Sequence, residues 1–252
     1  MAPLLEIKDL RKSFGSLRAL DGVTLDVEGQ KVNILIGPNG SGKTTLINAV
    51  SGFYEPDSGT VSFEGKDVTG LPPYKMYSMG VARTFQIPNL FWKQTVLENV
   101  LIADKGNPGE SFFKALFKRS WVKAEGDATE RAMRLINLLG LGKMWNSRAI
   151  TLSGGQMKLL EMARALMSGS RLILLDEPIS GVNPTLAHEI FGRILKLRDD
   201  MGVTFLIVEH RLDIALSYVD TVTAMAFGRV VAAGKPELVM ADPKVIEAYL
   251  GA

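Results

Sequence analysis

The sequence contains no cysteine, and this absence excludes several kinds of chemistry at once. Without a thiol the chain has no disulfide, no thiolate metal site and no cysteine nucleophile. A chain that does without disulfides suits a reducing compartment. Its function must therefore rest on other residue types.

Long apolar runs and a strong net charge are missing as well. No run approaches the ~20 apolar residues that cross a bilayer, and the candidate at 230–234 is flanked by Arg229 and Lys235. Residues 1–9 lack the basic and apolar blocks of a signal peptide. The net charge of +2, from 29 basic and 27 acidic residues, offers little attraction for a nucleic-acid backbone. We expect no nucleic-acid partner, and any work at a membrane would use another protein's helices.

What the chain does have is a glycine-rich loop between a strand and a helix. The apolar run 32–36 precedes it and the helical pattern 45–50 follows it. Its glycines permit backbone angles closed to other residues, so that successive N–H groups can wrap a polyphosphate at a helix N-terminus. This pattern also predicts that the loop lysine meets the β- and γ-phosphates and that the next hydroxyl coordinates Mg²⁺. The loop is Gly37, Pro38, Asn39, Gly40, Ser41, Gly42, Lys43 and Thr44.

The flanking segments indicate strands with one solvent-exposed face, and turns between those strands. Alternating apolar residues predict strands at 5–10 and 20–27, and a hairpin strand at 60–63. Phe14, in a predicted loop, could stack on an adenine ring or pack under a hairpin. Residues 81–85 predict a strand that runs into Gln86, and the proline at 88 enforces a loop after it.

The middle of the chain is helical in pattern. Thr95 and Glu98 have the spacing of a capping box at a helix start. Residues 107–124 place aromatic side chains opposite lysines, as in an amphipathic helix. That helix could lie against a membrane or a membrane protein, or its aromatic side could pack on the helix predicted at 128–139. Ser153 is then available to cap a helix that reaches about Met167.

Two apolar strands of the second half end in polar residues. Residues 172–175 lead into Asp176 and Glu177, and residues 203–208 lead into Glu209 and His210. Central parallel strands deliver such residues to the edge of the sheet where ligands bind. With a phosphate loop upstream, we interpret the Asp176–Glu177 pair as catalytic, whereas His188 has no comparable context.

Five elements, in their order along the chain, resemble the nucleotide-binding subunit of ATP-binding-cassette transporters. They are the phosphate loop, Gln86, residues 152–156 (Leu-Ser-Gly-Gly-Gln), the Asp176–Glu177 pair and His210. The resemblance covers essentially the whole chain. It implies an α/β fold of the P-loop type, with a mainly parallel core sheet, an antiparallel β subdomain and a helical subdomain. The implied core is 1–86 with 170–252, and the helical part is 87–169. Finer features at 83–86, 181–184, 208–213 and 247–251 look like the ATPase of branched-chain amino-acid importers.

The resemblance also implies a role for each matching residue. Phe14 would stack on adenine where the family more often has tyrosine, and residues 37–45, including Thr45, would hold the phosphates. Thr44 and Gln86 would bind Mg²⁺, with Asp176 reaching it through water. Glu177 would polarise the attacking water, Lys43 and His210 would neutralise the phosphates, and the site of a second subunit would be completed by Ser153, Gly155 and Gln156. Asn183 stands where the family usually has aspartate.

The implied function is ATP hydrolysis that energises a membrane transporter, most simply the import of branched-chain amino acids. The implied cofactors are ATP and Mg²⁺, and the location is peripheral, at the cytoplasmic face of the cell membrane. Permease subunits, docking near Gln86, and a second ATPase subunit, identical or related, would be direct partners. A periplasmic or extracellular binding protein would be an indirect one. The alternatives are a soluble ATPase of the superfamily that assembles a cofactor or remodels a complex, and the ATPase of an exporter.

Overall fold

The computed structural model describes residues 2–105 and 118–250. These divide into two compact units, Met1–Gln86 with Arg171–Ala252 and Ile87–Ser170. The strands are β1 (Leu5–Phe14), β2 (Leu17–Val27), β3 (Val32–Ile36), β4 (Ser58–Phe63), β5 (Lys66–Asp67), β6 (Val81–Arg83), β7 (Leu172–Asp176), β8 (Thr204–Val208), β9 (Thr221–Ala226) and β10 (Arg229–Gly234). The α-helices are α1 (Lys43–Val50), α2 (Pro73–Met79), α3 (Val96–Leu101), α4 (Lys118–Leu138), α5 (Gly154–Met167), α6 (Pro184–Met201), α7 (Leu212–Ala215), α8 (Pro236–Met240) and α9 (Pro243–Leu250).

A six-stranded sheet forms the centre of the first unit, in the order β10-β9-β3-β8-β7-β6. The strands from β9 to β6 are parallel, and β10 pairs antiparallel with β9. Every residue of β3 and β8 is buried, as expected of strands covered on both faces. Because parallel strands end at the same edge, the segments after β3, β6, β7 and β8 meet there. These segments carry the phosphate loop, Gln86, Glu177 and His210.

The second sheet is antiparallel, in the order β2-β1-β4-β5. Leu5, Ile7 and Leu10 on β1 are fully buried, while most of the residues between them are partly or wholly exposed. The one-sided pattern of the sequence is therefore confirmed. The mainly parallel core with an antiparallel β subdomain is the fold class that the resemblance implies. Phe14 differs from the prediction, because it is the last residue of β1, paired with Leu17, and not a loop residue.

The second unit is built from helices that pack on one another, α3, α4 and α5. The predicted capping box at α3 is confirmed, since Glu98 N donates to Thr95 Oγ1 and Thr95 N donates to the Glu98 carboxylate. The helix α4 already includes Lys118, the first described residue after the gap and ten residues before the helix start predicted at 128, and it continues through Gly126. The amphipathic helix predicted at 107–124 lies largely outside the described residues.

One strand in the first unit is shorter than predicted. The strand predicted at 81–85 ends at Arg83, because only 81–83 pair with β7. The sequence analysis made no prediction for the segment that forms α2, in which Pro73 occupies the first helical position, where its missing N–H costs nothing. In the described stretches, no helix combines the length and apolar character that crossing a bilayer needs.

Candidate functional site

The phosphate loop connects β3 to α1 in a path that requires glycine. Gly37 has φ 148°, and a Cβ there would lie 2.2 Å from the Met225 carbonyl oxygen. Gly42 has φ 102°, and its Cβ would lie 2.5 Å from the Ala19 carbonyl oxygen. A side chain at either position would displace the backbone, so the loop can take this course only with glycine. Gly42 is also the N-cap of α1, whose N-terminal N–H groups form an anion-binding terminus.

Lys43 begins α1 and turns its ammonium back over the loop. Its Nζ donates to the carbonyl oxygens of Gly37 (2.8 Å) and Pro38 (2.9 Å). The residue is 5% exposed. Burial lowers the pKa of this ammonium, and the negative charges of Glu177 and Asp176 oppose that shift. The loop thus holds a buried cation that faces two carboxylates.

Glu177 is bound between two other predicted site residues. Gln86 Nε2 donates to its Oε2 (2.8 Å), and His210 Nε2 lies 3.2 Å from its Oε1. Its φ of 51° is in the left-handed region, which costs energy for a residue with a side chain. Its N–H donates to the Val208 carbonyl oxygen (2.9 Å) and helps to hold that conformation. The structure therefore brings Lys43, Gln86, Glu177 and His210 to one edge of the sheet.

Asp176, the other carboxylate, is paired with a residue that the sequence analysis missed. Arg83 Nη2 lies 3.2 Å from Asp176 Oδ2, and its Nη1 donates to Asn48 Oδ1 and to Ser51 Oγ (3.2 Å) on and just after α1. The guanidinium also lies over the rings of Phe53 and Phe85, at 5.5 and 5.1 Å from their centroids. An arginine on a short, otherwise apolar core strand was the signal that could have identified it.

Loss of Arg83 should destabilise the first unit. The side chains of Arg83 and Asp176 are 8% and 14% exposed, so Arg83→Leu leaves a mostly buried carboxylate without this partner. We expect a loss of about 3 kcal/mol in the free energy of unfolding, measured by urea denaturation. Arg83→Lys, which keeps the charge without the planar fork, should lose less. An Arg83→Leu chain with the parent's urea midpoint would contradict this.

Phe14 lies in an aromatic corner of the first unit. Its ring meets Tyr54 edge-on, with centroids 5.2 Å apart, and Lys12 Nζ lies 5.7 Å from its centroid. The Phe14 side chain is 44% exposed. A ring braced on one edge and open to solvent has a free surface for stacking. Packing under a hairpin, the other interpretation, would have buried it more fully.

Ser153, Gly155 and Gln156 belong to the second unit, at the start of α5. Ser153 Oγ accepts from Gln156 N (3.4 Å), and Gln156 Oε1 accepts from Ser153 N (2.9 Å). The predicted cap is therefore confirmed and is a reciprocal capping box. Ser153 is exposed, Gln156 is partly exposed, and Gly155 is buried.

Asn183, which stands where the family usually has aspartate, has a defined structural task. Its Oδ1 accepts from Leu186 N (2.9 Å), and the residue is the N-cap of α6. Asparagine and aspartate are equally good N-caps. The helix start is therefore formed without the negative charge. His188 on the same helix bonds Tyr218 through Nδ1 (2.8 Å).

Two family models match the chain. The model described as ABC transporter matches residues 20–180. The model described as branched-chain amino acid ATP-binding cassette transporter matches residues 229–252.

Curated relatives match over nearly the whole length. A probable branched-chain amino acid transport ATP-binding protein LivG from Archaeoglobus fulgidus is 51% identical, covering 99% of this chain and 96% of the relative. The LivG protein of Escherichia coli, described as a high-affinity branched-chain amino acid transport ATP-binding protein, is 37% identical, covering 99% and 98%.

Solved structures agree with the fold. The ADP conformation of an ATP-binding cassette of an ABC transporter is 45% identical and superposes with a TM-score of 0.86, covering 100% of both chains. A dimeric post-hydrolysis cassette bound to ADP and Pi is 25% identical, with a TM-score of 0.74, covering 92% of this chain and 98% of the other. The matches in family, sequence and fold all span most or all of the chain, which therefore belongs to the ABC transporter family as an ATP-hydrolysing, nucleotide-binding subunit of the branched-chain amino acid (Liv) type.

Proposed function

We propose that this chain hydrolyses ATP to drive the import of branched-chain amino acids through a membrane permease. One observation carries the chemical part: the Glu177 carboxylate is held between Gln86 and His210, beside the buried Lys43 of the phosphate loop. The curated names of relatives 37–51% identical support the substrate class.

The residues present fit a nucleotide with its metal. The loop 37–45 joins backbone N–H groups at a helix N-terminus to an ammonium, which suits a triphosphate. Mg²⁺ would be held by oxygens of Thr44, Gln86 and, through water, Asp176, which are ligands of the kind it prefers. Gln86 donates its amide nitrogen to Glu177, which leaves its amide oxygen for the ion. When bound, the ion would neutralise charge on the phosphate oxygens.

In this mechanism, Glu177 orients the attacking water and accepts its proton. Charge in phosphoryl transfer spreads over the γ-phosphate oxygens, so catalysis is mostly positioning and neutralisation. Lys43 and His210 supply positive or donor groups for those oxygens. Phe14 offers its open face to the adenine ring.

We propose that Ser153, Gly155 and Gln156 complete the site of a second ATPase subunit, identical or closely related. Ser153 is exposed and Gln156 is partly exposed at a helix N-terminus, whereas Gly155 is buried there, and a helix N-terminus suits a role toward a partner's triphosphate. ATP held between two subunits would favour the closed dimer, and hydrolysis would release it. The dimeric relative bound to ADP and Pi supports this arrangement.

The remaining assignments follow from the same function. Residues 1–86 with 170–252 would form the nucleotide-binding core with the β subdomain, and residues 87–169 the helical subdomain. The chain would lie peripherally at the cytoplasmic face of the membrane and dock on permease subunits near Gln86. A periplasmic or extracellular binding protein would deliver the amino acid to those subunits.

Disruption of the gene should abolish the part of leucine, isoleucine and valine uptake that depends on this transporter. Uptake of radiolabelled amino acids by the disrupted strain measures this, with lysine as a control substrate. The parent chain should restore uptake, whereas Lys43→Ala should not, because the buried ammonium over the phosphate loop is lost. Unchanged uptake of all three amino acids in the disrupted strain would refute the import proposal.

A further inference from the structure

Glu209 is a charged residue that the mechanism above does not use. It follows β8, directly before His210, and is 2% exposed. A carboxylate is almost never buried to this degree unless its oxygens are bonded. Its partners therefore indicate its purpose.

The Glu209 carboxylate bonds the backbones of two different loops. Its Oε1 accepts from the Ile179 N–H (2.8 Å), two residues after Glu177. Its Oε2 accepts from the His210 N–H (3.1 Å), with the Arg211 N–H at 3.5 Å. One oxygen thus serves the Glu177 loop and the other serves the His210 loop.

A second contact joins the same two loops. Arg211 Nη1 donates to the Val182 carbonyl oxygen (3.0 Å), further along the segment that follows Glu177. The side chains of Glu177 and His210 themselves lie 3.2 Å apart. The buried carboxylate therefore bonds the backbones of two loops whose site residues are in contact.

We infer that Glu209 is a positioning residue that sets the placement of Glu177 relative to His210 by holding the backbones of both loops. This inference rests on the proposed roles of Glu177 and His210. Glu209 itself is buried and acts through those two residues.

The inference depends on a property of the carboxylate. An ionised carboxylate only accepts hydrogen bonds, and both of its oxygens face N–H donors here. Glutamine has the same shape, but its side-chain NH₂ would face a backbone N–H of one of those loops, and two hydrogen-bond donors cannot bond each other. Glu209→Gln is therefore a conservative change that should release one loop while the core remains filled.

The test is steady-state ATPase kinetics of Glu209→Gln in the intact protein. We expect kcat to fall roughly tenfold or more, with KM for ATP nearly unchanged, since the phosphate loop is untouched. Asp220→Asn is the matched control. Asp220 also accepts a hydrogen bond from a backbone N–H, that of Val32 (2.8 Å), and it pairs with Arg198. It precedes β9, however, and therefore lies where the parallel strands begin, at the opposite edge of the sheet from the site. It should lower the melting temperature and leave kcat unchanged.

A double-mutant cycle separates positioning from general destabilisation. In a His210→Ala background, Glu209→Gln should cost much less than in the parent, because one of the two side chains whose relative placement it sets is gone. A parent-like kcat for Glu209→Gln, or full additivity in the cycle, would overturn the inference. If Glu177→Gln and His210→Ala themselves retained activity, the proposed function would fail instead.

A second variant covers the case in which Glu209→Gln does not fold. Arg211→Met removes the other link, to Val182, at a partly exposed position. The same inference expects a lower kcat and unchanged KM for it. A folded Arg211→Met chain with the parent's kcat would then overturn the inference.

Discussion

Glu177→Gln is expected to lower ATP turnover ~10²–10⁴-fold, the usual contribution of a general base, while ATP still binds. The amide keeps the size of the side chain and can still bond Gln86, but it cannot accept a proton. It also replaces the carboxylate oxygen that now lies 3.2 Å from His210 Nε2. Because the phosphate loop is unaltered, affinity for ATP should remain.

Phosphate release measures the turnover, and titration with a fluorescent ATP analogue measures the affinity. Glu189→Gln is the control substitution, since Glu189 lies exposed on α6 and should leave both quantities unchanged. A Glu177→Gln chain that hydrolyses ATP within a few-fold of the parent would mean that another group activates the water.

Ser153→Arg should abolish hydrolysis without preventing a single subunit from binding ATP. The serine caps α5 and is exposed, and we propose that it faces the partner's triphosphate. Arginine would place a long, charged side chain in that interface. The loss of the cap itself is worth about 1 kcal/mol, too little to explain a complete loss of activity.

Ser153→Ala separates the two effects, because it loses the cap and adds no bulk. We expect Ser153→Ala to retain substantial ATPase activity and Ser153→Arg to retain none, with equal ATP affinity at protein concentrations where the subunits are monomeric. Equal activity of the two variants would argue against a site shared between subunits. Sedimentation of the Glu177→Gln chain with ATP would show directly whether a dimer forms.

Much of the fold could be predicted because its signals are local. The apolar runs that form β3, β7 and β8 are short and bounded by polar residues, so their length and apolar character predicted buried strands. The helix starts at Thr95 and Ser153 were predicted correctly, because a cap acts within three or four residues of sequence.

The misses depend on partners distant in sequence. Phe14 extends β1 because it pairs with Leu17 across a tight turn. The strand 81–83 is short because only three of its residues pair with β7, about ninety positions away. The importance of Arg83 rests on its contacts with Asn48 and Asp176. No local pattern contains this information.

The sequence by itself determined the kinds of groups available: a glycine loop with its lysine, carboxylates and a histidine after apolar strands, and no thiol. Only the tertiary structure decided which of these groups meet. Parallel pairing places the ends of β6, β7 and β8 side by side, so that Gln86, Glu177 and His210 come into contact. The tertiary structure also revealed Glu209 as the buried residue that links two loops. Hydrogen bonds act over about 3 Å, so their partners are determined by the folded backbone and not by separation along the chain.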